Sequence, residues 1–158
     1  MNNVVEDAKA EFLRAKDRLE KGLASTPDDK INWSPSATSR SPIALVAHSA
    51  LSIEGMRGWL DGEPFPFSSM EELDDFSRKK EAEFSTRDQV KQALDQHTSV
   101  FLAWLDSLSD DRVASMFESP MGSFPMAAAI TFPADHLRGH AAQLEYLQTI
   151  YGDRTMHM

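Results

Sequence analysis

The sequence contains no cysteine. That excludes disulfides, thiolate metal ligands and a cysteine nucleophile, and it is compatible with a reducing cytoplasm. Positive charge is also scarce: 16 Lys and Arg stand against 25 Asp and Glu, a formal net charge of −9. A chain so acidic repels phosphate backbones and anionic lipid surfaces, so neither nucleic acid nor a membrane is an expected partner. No apolar run is long enough to cross a bilayer. The opening M-N-N-V-V-E-D-A-K carries acids where a secretory signal would carry Lys or Arg, so no signal peptide is expected. Strand patterning is missing too. No period-2 alternation of convincing length occurs, and there is no internal repeat or low-complexity tract.

What is present is helical periodicity. At 158 residues, with 41% hydrophobic and 26% charged residues, residues 1–158 are expected to form a single domain with a substantial core. Val5, Ala8, Phe12, Ala15, Leu19 and Leu23 recur on one face of a helix over 3–24, which ends before Pro27. Ser41 and Pro42 read as the N-cap and first position of a second helix that persists to Leu60, where D-G-E-P breaks it. Residues 69–82 are rich in both charges and predict a short surface helix, with the run 71–83 as a solvated face. A further long helix covers 85–108, with Thr86 as its cap and Val90, Leu94, His97, Phe101, Trp104 and Leu108 along one seam. The last helix is expected over 125–151, with Ala129, Pro133, His136, His140, Gln143, Leu147 and Ile150 facing inward. Pro133 cannot sit unstrained inside it, so a kink or a restart is expected one turn before His136. Four long helices with long connections predict an all-α four-helix bundle that need not follow simple up-down order.

Four of the five histidines fall on expected inward faces, and three of them, His48, His136 and His140, suggest a shared task. His136 and His140, in D-H-L-R-G-H, share a helix face at i, i+4, a spacing that lets two imidazoles reach one metal at about 2.0–2.1 Å. His48 lies on the second helix, with Ser52 and Gly55 one and two turns beyond it. These small residues would leave a pocket that bulky ones would fill. Burying three imidazoles is costly unless they share a task. From spacing alone, a metal site and scattered core histidines remain two open readings. If a metal is held, three nitrogen ligands leave positions for water or substrate, as in catalytic sites. The metalloprotease helix is excluded, because Leu137 stands where H-E-x-x-H places its glutamate. No other carboxylate is expected to act as a base: Asp135 is rotated away from His136, and Glu54 does not share the face of His48. His97 reads as a core histidine or a pocket wall, and His157 as part of a tail. Gln143, one turn past His140, reads as a pocket-edge or ligand-bonding residue. Met56, Trp59, Phe65 and Phe67 read as a pocket roof, as packing or as a dimer face.

The segment L-V-A-H-S-A, the ending D-H-L-R-G-H-A-A-Q-L-E-Y-L, the loop with Trp33 and Pro35 and the G-E-P-F turn together resemble the DinB-like superfamily across nearly the whole chain. The resemblance implies a bundle with crossing connections and a divalent metal, zinc or nickel, bound by His48, His136 and His140. It also implies a homodimer; the cytoplasmic location is expected from the lack of cysteine and of a signal or membrane segment. Relatives include thiol-dependent S-transferases, a mycothiol-dependent isomerase and members labelled metal-dependent hydrolases. The implied function is a metal-dependent transferase or hydrolase acting on a small molecule, with a low-molecular-weight thiol as co-substrate. The alternative is a non-catalytic metal or small-ligand binding bundle of the stress-response kind.

Overall fold

The computed structural model describes residues 2–157. Its elements, in order, are α1 (Asn2–Ala24), α2 (Pro42–Leu60), α3 (Met70–Glu81), α4 (Arg87–Ser107), α5 (Asp110–Val113), β1 (Met116–Ser119), β2 (Gly122–Pro125), α6 (Met126–Ala129) and α7 (Phe132–Ile150). The fold class is all-α. Four long helices form the bundle, and α3 lies against α2.

Local chemistry accounts for the helix starts. Ser41 is extended and accepts a hydrogen bond from the Ala44 amide, and Pro42 follows at a position whose N–H would be unpartnered anyway. Thr86 and Gln89 form a reciprocal capping box at the start of α4. Helix α3 is capped by Ser69. It carries Glu71 and Glu72 in its first turn and Arg78, Lys79 and Lys80 in its last, the arrangement a helix dipole favours.

Helix α1 packs chiefly against α7, and α2 against both α4 and α7, while α1 and α2 barely meet. Round the bundle the order is therefore α1, α7, α2, α4. Residues 25–41 must cross from α1 to the diagonally opposite α2, and residues 108–131 cross from α4 to α7. The long connections are thus a geometric requirement of the packing order.

The core is continuous through the four helices. Ala8, Phe12, Ala15, Leu19 and Leu23 of α1 are all buried. Phe12 meets Phe101 with ring centroids 4.8 Å apart, and Phe101 stacks on Trp104. Each fully buried large side chain of this kind contributes about 1.5–3 kcal/mol. Trp104 keeps its indole N–H satisfied by donating to Asp61 at 3.0 Å.

Three expectations are corrected by the fold. The single helix over 125–151 is two: α6 ends at Ala129, and α7 starts at Phe132, so Pro133 sits in a first turn where it removes no helical hydrogen bond. The break precedes His136 as a restart. Second, residues 116–125 form an antiparallel hairpin, Met116 opposite Pro125 and Ser119 opposite Gly122. Its four-residue strands are too short for an alternation to stand out, and Gly122, at φ 133°, supplies a conformation other residues rarely adopt. Third, the buried stripe of α7 is Pro133, Ala134, Leu137, Ala141, Leu144, Leu147 and Gln148. It is rotated by about one residue from the expected seam. Gln143 and Ile150 are exposed, and His136 and His140 are half-buried at the edge of the stripe. On α4 the expected seam holds at Val90, Leu94, Phe101 and Trp104, but Thr98 takes the buried position and His97 is half-buried.

Candidate metal centre

Helices α2 and α7 pack side by side, and that contact brings the three histidines together. His48 projects from the second turn of α2, and His136 and His140 from successive turns of α7. Each offers one ring nitrogen within 4.8 Å of the others, and among the described residues these three are the one group of His, Asp and Glu that does so. The ring centroids stand 5.1 Å apart for His48 and His136, 4.7 Å for His48 and His140, and 4.4 Å for His136 and His140.

Hydrogen bonds determine which nitrogens face inward. His48 Nδ1 lies 2.7 Å from Glu81 Oε1, and His140 Nδ1 lies 2.8 Å from Gln143 Oε1. A carboxylate or amide oxygen only accepts, so each Nδ1 carries a proton and Nε2 is the nitrogen left to face a metal. The Nε2 atoms of His136 and His140 are 3.1 Å apart. Two nitrogens bonded to one ion at about 2.0–2.1 Å lie about 2.9 Å apart at a right angle and about 3.3 Å apart at a tetrahedral angle. The observed spacing falls between these values, so the His136–His140 pair fits a divalent ion, and His48 offers its nitrogen within 4.8 Å of both.

Electrostatics agree. Burial, with the neighbouring His140, His48 and Arg40, lowers the His136 pKa to about 3. Burial likewise lowers His140, although its bond to Gln143 opposes the shift. Both rings are neutral near pH 7, the form that ligates metals.

Glu81 is the one buried exception in the run 71–83, which is otherwise exposed or half-buried as expected. It closes α3, and its side chain is 2% exposed. Arg40, just before the cap of α2, donates from Nε to Glu81 Oε2 at 2.7 Å and from Nη2 to Oε1 at 3.0 Å; Nη2 also reaches Asp74 at 2.7 Å. Burial by itself raises the Glu81 pKa, but the hydrogen bonds from His48 and Arg40 outweigh it and hold the carboxyl below its ordinary range. One sequence signal does exist. An acid at the C-terminal end of a helix is opposed by the helix dipole, so Glu81 after R-K-K calls for a partner from elsewhere.

The other expected residues lie apart from this cluster. His97 stands near Glu54, whose carboxyl is held low first by hydrogen bonds from Arg57 and, more weakly, by His97. His157 pairs with Asp153 at 2.7 Å, so it is tied back by a side-chain contact. Asp135 is exposed and points away, and Arg138 reaches both it and Glu11. Leu137, at the position of the metalloprotease base, is buried in the core. Trp59 contacts Phe65 and Phe117, and Phe67 contacts Phe65 and Phe76, so these aromatics form an intramolecular ladder. Trp59 is 11 residues along α2 from His48, about 16 Å, too far to roof the histidines. A groove lined in part by Trp59, Phe65, Arg112 and Phe117 opens at that end of the helix, and none of the three histidines lines it. Gly55 is exposed, with nothing within 4 Å of where a Cβ would stand. The room expected beside it opens to solvent at Gly55.

The sequence profile of the DinB superfamily matches residues 11–144. Among solved structures, the chain is similar to a mycothiol-dependent maleylpyruvate isomerase, at a TM-score of 0.70 and 13% identity over 89% of this chain. The chain spans 60% of the length of that isomerase. It is also similar to the sibling lethal factor precursor DfsB, at a TM-score of 0.70 and 18% identity, covering 94% of this chain and 97% of that one. At these identities the likeness is one of fold. No curated protein matches the sequence.

Proposed function

As this chain belongs to the DinB superfamily, we propose that His48, His136 and His140 hold a divalent metal, zinc or nickel, in an enzyme that transfers or hydrolyses a small molecule with a low-molecular-weight thiol as co-substrate. The observation that carries this reading is the convergence of three ring nitrogens from two helices, two of them with their far nitrogens tied to oxygen acceptors. Imidazole ligands suit both metals, and three protein ligands leave open positions, as catalytic sites do. A similar fold serves an enzyme that depends on mycothiol, itself a thiol, and this supports the co-substrate.

When bound, such a metal supplies Lewis-acid activation of a thiol or water nucleophile. The protein's own groups do the rest. Glu81 and Gln143 hold the Nδ1 protons of His48 and His140, so that Nε2 is the free donor on each ring. Burial keeps His136 and His140 unprotonated. Glu81 has both oxygens engaged, by His48 and Arg40, and serves as an acceptor rather than a free base. The open surface at Gly55 gives a small molecule a way in. The same proposal takes the bundle as one domain working as a cytoplasmic homodimer.

The test is the visible spectrum of cobalt-loaded protein titrated with β-mercaptoethanol. A new sulfur-to-metal charge-transfer band, absent from His140→Ala, is expected. A spectrum unmoved by saturating thiol would contradict the thiol reading and favour a non-catalytic metal-binding bundle.

A further inference from the structure

We infer that Glu81, clamped by Arg40, is a positioning residue that sets which nitrogen of His48 is offered to a metal. The inference rests on the proposed metal site and adds a residue from a helix that supplies none of its three histidines.

The geometry separates this role from that of a plain counter-ion. A carboxylate needed only to neutralise Arg40 would be satisfied by the two-point fork from Nε and Nη2, at 2.7 and 3.0 Å. Glu81 makes a third bond, 2.7 Å from Oε1 to His48 Nδ1. The Glu81 side chain is 2% exposed and that of His48 16%, so water competes little for the bond. A buried carboxylate is tolerated only when its lone pairs are used, and here the histidine uses one of them.

The chemical consequence follows from the acceptor. An anionic oxygen on Nδ1 holds the proton there, aligns the ring and makes Nε2 a stronger donor. His140 has a neutral amide oxygen in the same place. The His48 ring is therefore the better-oriented of the two and the anchor of the set. Arg40 keeps the carboxylate from rotating away, and Asp74 holds Arg40 in turn at 2.7 Å. Arg78 binds Asp74 at 2.7 Å and the Thr38 carbonyl at 3.1 Å. The orientation of one imidazole on α2 is thus tied to α3 and to the connection that crosses the bundle.

The test has two arms on the full-length chain. Long-range 1H–15N NMR of metal-free wild-type protein reads the His48 tautomer directly. The Nδ1–H form is expected, and a predominant Nε2–H form would overturn the inference whether or not metal binds. Zinc affinity by chelator competition is then compared between wild type, Glu81→Gln and the double variant Arg40→Met/Glu81→Gln, which leaves no unpaired charge in this contact. Both variants are expected to bind zinc about 10- to 100-fold more weakly. A folded double variant with wild-type affinity would overturn the positioning role. Wild-type protein that binds no zinc would instead overturn the metal site, a failure distinct from a wrong tautomer.

Discussion

His136 Nε2 and His140 Nε2 face each other at 3.1 Å across one turn of α7. With the Nδ1 proton of His140 bonded to Gln143, its Nε2 has a lone pair directed at its neighbour. Without a metal, His136 Nε2–H donates to that lone pair; with this proton gone, a cation between the rings takes its place. Added zinc should therefore raise the melting temperature of chelator-stripped protein. By linkage, zinc at about 100 times its dissociation constant stabilises by about 2.7 kcal/mol. The double variant His136→Ala/His140→Ala should show no such shift in a thermal melt.

Acid should weaken the metal-free fold. The His136 pKa in the folded chain, about 3, lies below the ordinary 6.5, so the unfolded chain binds the proton more readily. Its contribution to stability is complete above about pH 6.5 and is lost as pH falls toward about 3, by at most about 1.4 kcal/mol per pH unit. His140 and Glu81, both shifted down, act in the same direction, the carboxylate at lower pH. Urea unfolding in chelator, from about pH 7 to about pH 5, should show falling midpoints in wild type and a shallower fall in His136→Phe.

Arg40→Ala should cost far more than an ordinary surface change. It leaves Glu81 buried with only the His48 proton against its charge. Breaking a buried pair by deleting one partner costs about 3–5 kcal/mol. Denaturant unfolding of metal-free protein measures it, and Arg138→Ala, at an exposed pair, should stay within about 1 kcal/mol of wild type.

What could be read from the sequence is what depends on near neighbours in the chain. The α1 face, the Ser41–Pro42 start, the Thr86 capping box and the restart at Pro133 all follow from residues a few positions apart. The i, i+4 histidines are local as well, and their meeting with His48 could be anticipated once helix faces were assigned. At Glu81 the helix dipole signals that a partner is needed but not which one, because Arg40 and His48 are 41 and 33 residues away. In a charge-rich segment, burial is set by packing that local pattern does not encode. On α7 a seam through the histidines takes in Gln143, which is exposed, while the polar Gln148 is buried and donates to the Gly22 carbonyl at 2.9 Å.

Two helical glycines should respond oppositely to alanine. A Cβ at Gly22 would stand 2.9 Å from Cδ2 of Leu144, itself fully buried between α1 and α7. Overpacking of about 1–3 kcal/mol should outweigh the helix-propensity gain of about 1 kcal/mol, so Gly22→Ala destabilises. At Gly139 nothing lies within 4 Å, and Gly139→Ala should stabilise by about 0.5–1 kcal/mol. Thermal melts of the two variants decide between these signs.

The central claim is that His48, His136 and His140 act together on one ion. Elemental analysis of untagged wild-type protein beside His136→Ala/His140→Ala tests it most directly. The account predicts about one zinc or nickel per chain in wild type and none in the variant. Wild-type protein that holds no metal even after it is added back, or a variant that retains it in full, would contradict the account.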